Sequence, residues 1–269
     1  MTLQNLHTHT VFDDGKNTPM EMARAALDAG LTSLGFSCHA ALPYESDWCI
    51  TEKTLPDYLA AVEETKAAFR GRLDVYSGIE WDGVSPQSTE GFDYVIGSLH
   101  HIVIGDETPS IDDTAAVTKG ALARFWDGNE SAVAEAYFAQ YEALAQNPAV
   151  DIVGHFDLLG KFRETDGLFP QNAAFLDSAI PAMEALLRAD KIFEVNTGAM
   201  CRGYRAEPYP SVTLLRELKA RHGRVLLASD AHSAKSIAYG FRETEALLKE
   251  IGFREIWIYS GSGFVPVAL

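Results

Sequence analysis

Eight short apolar runs, each closed by a polar tip and most of them leading into a stretch of helical period, constrain this chain more than any other feature. The runs are NLHTH (5–9), SLGFS (33–37), LDVYSGIE (73–80), FDYVIGSLH (92–100), VDIVGHF (150–156), KIFEVNT (191–197), RVLLASD (224–230) and EIWIYS (255–260). Several are continuously apolar, as parallel strands covered on both faces must be. Between them lie helix candidates at 19–30, 56–69, 130–146, 172–189, 211–223 and 243–252. Gly30 stands where the first of these should stop, and Pro181 should kink or split the fourth. Strand–helix alternation over this length predicts an α/β barrel or a doubly wound sheet.

One stretch breaks the rhythm. Residues 103–130 are polar, acidic and glycine-bearing, and read as an insertion with one helix, either a cap over a site or a surface excursion. The remainder shows no repeat, linker or low-complexity tract, so residues 1–269 read as one barrel unit carrying that insertion.

The chain carries a formal charge of −16, with no run of Lys or Arg. Such a surface repels nucleic-acid phosphates, which argues against a nucleic-acid partner. Cys38, Cys49 and Cys201 are scattered, odd in number and never in a CxxC spacing, which argues against a disulfide framework and a thiolate zinc site. No basic leader or membrane-length apolar run is seen, so the composition reads as that of a soluble, cytoplasmic protein.

The histidines carry the chemistry. The first run holds His7 and His9, two residues apart and therefore on one side of a strand. The second run leads to His39, the third ends in Glu80, the fourth in His100 and His101, the fifth in His155, and the seventh in Asp230 with His232 just beyond. Only His222 of the eight histidines lies away from a strand end. A lone histidine after a strand is ordinarily a hydrogen-bonded structural group, but six strand ends carrying ligand-type residues are not a scatter. In an α/β barrel these ends meet at one face, where active sites are built. Neutral imidazoles and carboxylates suit zinc, iron or manganese, and the set exceeds what one ion needs.

The chain resembles the PHP (polymerase and histidinol phosphatase) superfamily of metal-dependent phosphoesterases, and within it the histidinol-phosphatase branch. The resemblance rests on HTHTVFDDG (7–15), LGFSCHA (34–40), GIEWD (78–82), VIGSLHHI (95–102), DIVGHFDLLGKF (151–162), FEVNTGAMCRG (193–203) and LASDAHS (227–233). It implies a distorted, TIM-like (β/α)7 barrel with a site for two or three divalent ions at the C-terminal ends of the strands. It further implies that His7, His9 and Asp230 hold one ion, that Glu80 bridges two, and that His100 and His155 hold the second. His39 and His232 would belong to a third ion. Asp14 stands where many relatives have a histidine, and is either a ligand of that third ion or a turn residue. His100 fits the family spacing better than His101, which would lie in the pocket.

The implied reaction is hydrolysis of L-histidinol phosphate, a step of histidine biosynthesis, by a hydroxide bridging two ions and attacking phosphorus in line. Another small phosphate ester, or a nucleotide or nucleic acid, is the alternative substrate within the superfamily. Arg202 and Lys161 are candidate phosphate clamps, with His101 and Ser233 near the same pole. Asp230 or His232 would orient the water or protonate the leaving group. The oligomeric state is not legible.

Overall fold

The computed structural model describes residues 3–44 and 46–269. Seven parallel strands form one sheet whose spatial order is the chain order. They are β1 (Gln4–Asn5), β2 (Ser33–Phe36), β3 (Asp74–Asp82), β4 (Tyr94–Ser98), β5 (Ile152–Val153), β6 (Ile192–Asn196) and β7 (Arg224–Ala228). The helices between and after them are α1 (Pro19–Asp28), α2 (Leu55–Phe69), α3 (Ala115–Trp126), α4 (Glu130–Gln146), α5 (Arg163–Asp166), α6 (Ala173–Arg188), α7 (Gly198–Cys201), α8 (Val212–Ala220) and α9 (Phe241–Ile251). Past β1 the chain stays extended, and the His9 N–H donates to the Ala231 carbonyl (3.0 Å) while the Ala231 N–H donates to that of His7 (3.3 Å). Those bonds join the first strand to the seventh. The sheet is thereby a TIM-like barrel of seven strands, closed at the pole where the histidines lie.

Local chemistry explains where the helices begin. Thr18 caps α1 in a reciprocal box with Glu21, and Pro19 occupies the first helical position, where its missing N–H costs nothing. Asn129, Asn172 and Ser211 cap α4, α6 and α8 more simply, each accepting one first-turn N–H on its side-chain oxygen. Pro181 does not split α6, which is continuous from Ala173 to Arg188. Both Pro181 and Asp177, whose carbonyl loses its partner, are exposed, so water replaces the missing bond.

The barrel interior is filled by Leu6, Tyr94, Ile96, Ile152, Ile192, Leu226 and Ala228. Tyr94 crosses it and donates its hydroxyl to the Leu6 carbonyl. A Cβ at Gly35 or Gly78 would stand 2.2 Å from the Tyr94 side chain, so glycines on β2 and β3 make room for the ring. The eighth apolar run does not enter the barrel. Residues Glu255–Tyr259 (β8) pair antiparallel with Phe264–Ala268 (β9). Trp257, Tyr259 and Phe264 of this hairpin pack against the interior cluster, and the Gln4 side-chain amide makes two hydrogen bonds to the Tyr259 backbone (2.7 and 3.0 Å). The hairpin plugs the pole opposite the histidines.

Outer helices also set the metal pole. Tyr58 of α2 donates to the carbonyls of Phe36 and Gly78, both at 2.9 Å. Tyr137 and Tyr141 of α4 point their hydroxyls at the Phe156 carbonyl, at 3.2 and 3.1 Å, which fixes the turn after His155. Within the 103–130 stretch, α3 is the helix. Just before it the Ile111 N–H donates to the His100 carbonyl (3.0 Å), and His101 pairs with Ser110. This pairing folds Asp112 and Asp113 back over the strand ends.

Candidate metal centre

At the C-terminal pole the strand ends bring seven histidines together, and Glu80 stands among them. Its side chain is fully buried. Oε1 faces His155 Nε2 (2.8 Å) and His100 Nε2 (3.4 Å), while Oε2 faces His39 Nδ1 (2.9 Å), His7 Nε2 (3.2 Å) and His9 Nε2 (3.6 Å). His7, His9 and Asp230 form one compact donor group; His39, Glu80 and His100 form another; His9, Asp14, His39 and His232 form a third. The first two groups are buried, whereas Asp14 is exposed and His232 half-buried at the mouth. His155 joins through Glu80. His101 belongs to no group, and its Nε2 is 2.7 Å from the Tyr44 hydroxyl.

The loop after His9 carries its own constraint. A Cβ on Gly15 would lie 2.4 Å from the Thr10 nitrogen, so only glycine lets residues 10–15 fold back and present both aspartates to the cluster. Asp230 sits at φ 49°, a left-handed backbone that aspartate tolerates better than most residues. The conformation turns its carboxylate inward beside Arg202, whose guanidinium donates to Asp230 Oδ2 at 3.0 Å.

Three carboxylates that the strand-end reading did not single out hold the imidazoles from behind. Asp13 Oδ2 is 2.6 Å from His9 Nδ1, Asp82 Oδ2 is 2.9 Å from His100 Nδ1, and Glu194 Oε2 is 2.7 Å from His7 Nδ1. Each leaves the opposite ring nitrogen facing the cluster and fixes the tautomer able to bind a cation there. The one sequence signal for Glu194, an acid inside the apolar run KIFEVNT, is passed over by the strand-end reading; its Oε1 also accepts the His155 N–H at 2.6 Å.

The donor set fits metal ions. His7 Nε2, His9 Nε2 and Glu80 Oε2 are buried without a hydrogen-bond partner, although they crowd within a few ångströms of one another. Buried polar atoms left in that state are costly unless something coordinates them. Six carboxylates (Asp13, Asp14, Glu80, Asp82, Glu194 and Asp230) also outnumber the nearby cationic side chains Arg202 and Lys161. Without metal, protons make up part of that difference. Burial disfavours the charged His9 ring, yet Asp13 beside it raises it to about 10. For His100, Glu80 and Asp82 outweigh burial and raise it to about 9. Burial pushes Glu80 upward, but His7, His39 and His100 hold it well below the usual carboxylate range. Unlike His9 and His100, His39 is lowered, because burial and the neighbouring His9 outweigh the carboxylates around it. Raised imidazoles are protonated at pH 7, and a cation must displace those protons. Loading zinc at pH 7 should therefore release protons, and the binding enthalpy should scale with the buffer's ionisation heat. A buffer-independent enthalpy would contradict this.

The other residues anticipated at this pole are placed as follows. Glu80, His100, His101, His155, Asp230, His232, Arg202 and Lys161 all line one cavity of about 610 Å³. Arg202 also contacts His232 Nδ1 at 3.3 Å. Lys161 is tied to the Asp112 backbone and carboxylate, which fastens the insertion to the turn after β5. Ser233 does not line the cavity; its hydroxyl bonds that of Ser236 at 3.2 Å. Among the described residues, no helix is long and apolar enough to cross a membrane.

Known proteins bear on this geometry. The probable histidinol-phosphatase of Deinococcus radiodurans is 30% identical over 267 residues, covering 93% of this chain and 94% of its own. The histidinol-phosphatase of Bacillus subtilis is 25% identical, covering 87% and 95%. A histidinol phosphate phosphatase from Lactococcus lactis, solved with zinc, L-histidinol and phosphate, shares the fold with a TM-score of 0.72. It is 21% identical, and the match covers 98% of this chain and 99% of that one. The PHP domain family matches residues 5–198, which hold β2 to β6 in full and Asn5 of β1; β7, with Asp230 and His232 just past it, lies beyond the match. From this family match and the near full-length relatives, the chain belongs to the PHP domain family.

Proposed function

We propose that this chain is a metal-dependent phosphatase that hydrolyses L-histidinol phosphate to L-histidinol and phosphate. The observation that carries the reading is the convergence of three imidazole–carboxylate groups around Glu80, on a cavity bordered by Arg202. The relatives named histidinol-phosphatase, which match this chain over nearly its whole length, support the substrate.

In this reading His7, His9 and Asp230 would hold one ion, and His100, His155 and Glu80 a second, with Glu80 standing between the two groups. Asp14, His39 and His232 would hold a third at the mouth. Zinc, manganese and iron all suit such donors. When bound, these ions lower the pKa of coordinated water and neutralise phosphoryl charge. The chain's own groups do the rest. Arg202, a third exposed and steadied by Asp230, offers its planar fork to phosphoryl oxygens. Asp230 orients the attacking water, while His232, its Nδ1 held by the Asp230 carbonyl and its Nε2 3.1 Å from Asp14, is kept for the ion at the mouth. Lys161, pinned by Asp112, adds positive charge to the wall. Small phosphate monoesters are the substrate class and nucleic acid is not, since a net charge of −16 opposes a polyanion. We place the protein in the cytoplasm on its composition.

The test is phosphate release by the metal-loaded protein from histidinol phosphate, nucleoside monophosphates and single-stranded DNA. Histidinol phosphate should be turned over with the highest kcat/KM. Preference for a nucleotide or for DNA would overturn the assignment.

A further inference from the structure

Two side chains with different tasks sit on separate loops. His155 stands in the turn after β5, and Arg202 lies just past α7, in the loop after β6. Arg202 bonds Asp230 and His155 bonds Glu80, so neither fixes the other. What joins their loops is a buried ion pair. Arg205, three residues past Arg202, donates from Nη1 to Asp157 Oδ2 at 3.2 Å, and Asp157 lies two residues past His155. The Arg205 side chain is 1% exposed and that of Asp157 0%. Asp157 Oδ2 also accepts the Ser211 N–H (3.3 Å), so it grips the loop after α7 at both ends. The other terminal nitrogen of Arg205 reaches Glu207 at 3.2 Å, and the guanidinium lies over the Tyr209 ring, 4.3 Å from its centroid. Tyr209 reaches His155 from a second direction. Its backbone makes two hydrogen bonds with that of Asn196 (2.7 and 2.9 Å), and its ring meets the His155 imidazole edge-on with centroids 6.2 Å apart. Asn196 Nδ2 in turn donates to Glu194 Oε1, which accepts the His155 N–H.

Taking two opposite charges out of water costs much of what their attraction returns, so a packed apolar pair would hold the fold about as well. What the ion pair supplies is a fixed length and direction. Arginine suits this better than lysine, because its planar fork bonds two carboxylates while its face rests on an aromatic ring. We infer that Arg205 is a positioning residue: paired with Asp157 and stacked on Tyr209, it holds His155 and Arg202 at a set separation, so that an ion and a phosphoryl group meet in one geometry. It touches neither of them itself. The inference rests on the roles proposed above for His155 and Arg202, and supplies the cause of their alignment.

The test uses the double variant Asp157→Asn/Arg205→Met, which removes both buried charges together, beside Arg205→Lys. Leu186→Ala, a buried residue at the end of α6 that leads into β6, is the control for destabilisation alone. Metal-free proteins are titrated calorimetrically with zinc, the zinc-saturated proteins with inorganic phosphate, and kcat is measured on histidinol phosphate. The double variant should bind one zinc equivalent about tenfold more weakly with the others unchanged, bind phosphate about tenfold more weakly, and lose about tenfold in kcat. Leu186→Ala should lower the melting temperature and leave these values at those of the wild type. Wild-type zinc and phosphate affinities in the double variant, measured below its melting temperature, would make the pair purely structural and overturn the inference. An equal weakening of every zinc equivalent would do the same. If the double variant does not fold, Arg205→Lys decides by the same criteria, with an expected loss of about threefold because an ammonium keeps the charge but not the fork. Zinc-loaded wild type that leaves histidinol phosphate intact would defeat the phosphatase reading alone, and the zinc and phosphate titrations would still decide the role of Arg205.

Discussion

Glu80→Gln should lower turnover by about three orders of magnitude or more and reduce bound metal by about one ion per chain. The substitution keeps the shape of a side chain that is fully buried, so the barrel should fold and its circular dichroism should match the wild type. The charge and one acceptor oxygen are lost. Oε1 and Oε2 each face imidazole nitrogens of different donor groups, so one amide cannot serve both sides: its NH2 would turn a donor toward His155 and His100, or toward His7, His9 and His39. Glu80→Asp keeps the charge but withdraws it by one methylene, and should retain more metal and more rate than the amide. The decisive measurement pairs metal analysis with steady-state kinetics on the same samples. Wild-type turnover by Glu80→Gln at wild-type metal content would remove Glu80 from the chemistry.

What the sequence disclosed about this centre, and what it hid, follows from how each group is positioned. His7 and His9 are legible because a strand's two-residue period puts both on one face. His39, Glu80, His100, His155 and Asp230 are legible because barrel strands deliver their ends to one pole. Asp13, Asp82 and Glu194 were hidden, because their role depends on which ring nitrogen each reaches, and two of the three contacts join distant parts of the chain. Glu194 grips His7 from 187 residues away, and Asp82 grips His100 from 18. Asp13 is only four residues from His9, yet next to Asp14 in the string DD nothing marks which carboxylate turns inward and which lines the mouth. EIWIYS is a strand as expected, but its place outside the barrel was hidden for a related reason. EIWIYS follows a helix and has the apolar content of another barrel strand, but the barrel is already closed between the first and seventh strands. A strand with no edge to join pairs with the next segment instead, and its aromatics fill the open base.

Stripping the metal should abolish hydrolysis of histidinol phosphate and also loosen the fold, and the second effect separates a built site from a casual one. His7, His9 and Glu80 are enclosed, and His7 Nε2, His9 Nε2 and Glu80 Oε2 have no hydrogen-bond partner among the described residues. A cation that binds the folded chain and not the unfolded one stabilises it by about 4 kcal/mol at a thousandfold excess over Kd. For a chain of this size that is a thermal shift on the order of 10 °C. The carboxylates push in the same direction, because Glu194, Glu80 and Asp230 around His7 share one small volume, and without the ion their mutual repulsion must be met by protons. Chelator-treated protein should therefore show background phosphate release and a lowered melting temperature, and adding back zinc should restore both. The melting temperature should recover least when His7 is replaced by Asn, since that ring belongs to the buried group and reaches both Glu80 and Asp230. Full turnover in a sample whose metal content is measured as negligible would end the metal-dependent reading. A melting temperature unmoved by chelation would show instead that the buried donors are stabilised without a cation, and that the ions bind only at the exposed mouth formed by Asp14 and His232.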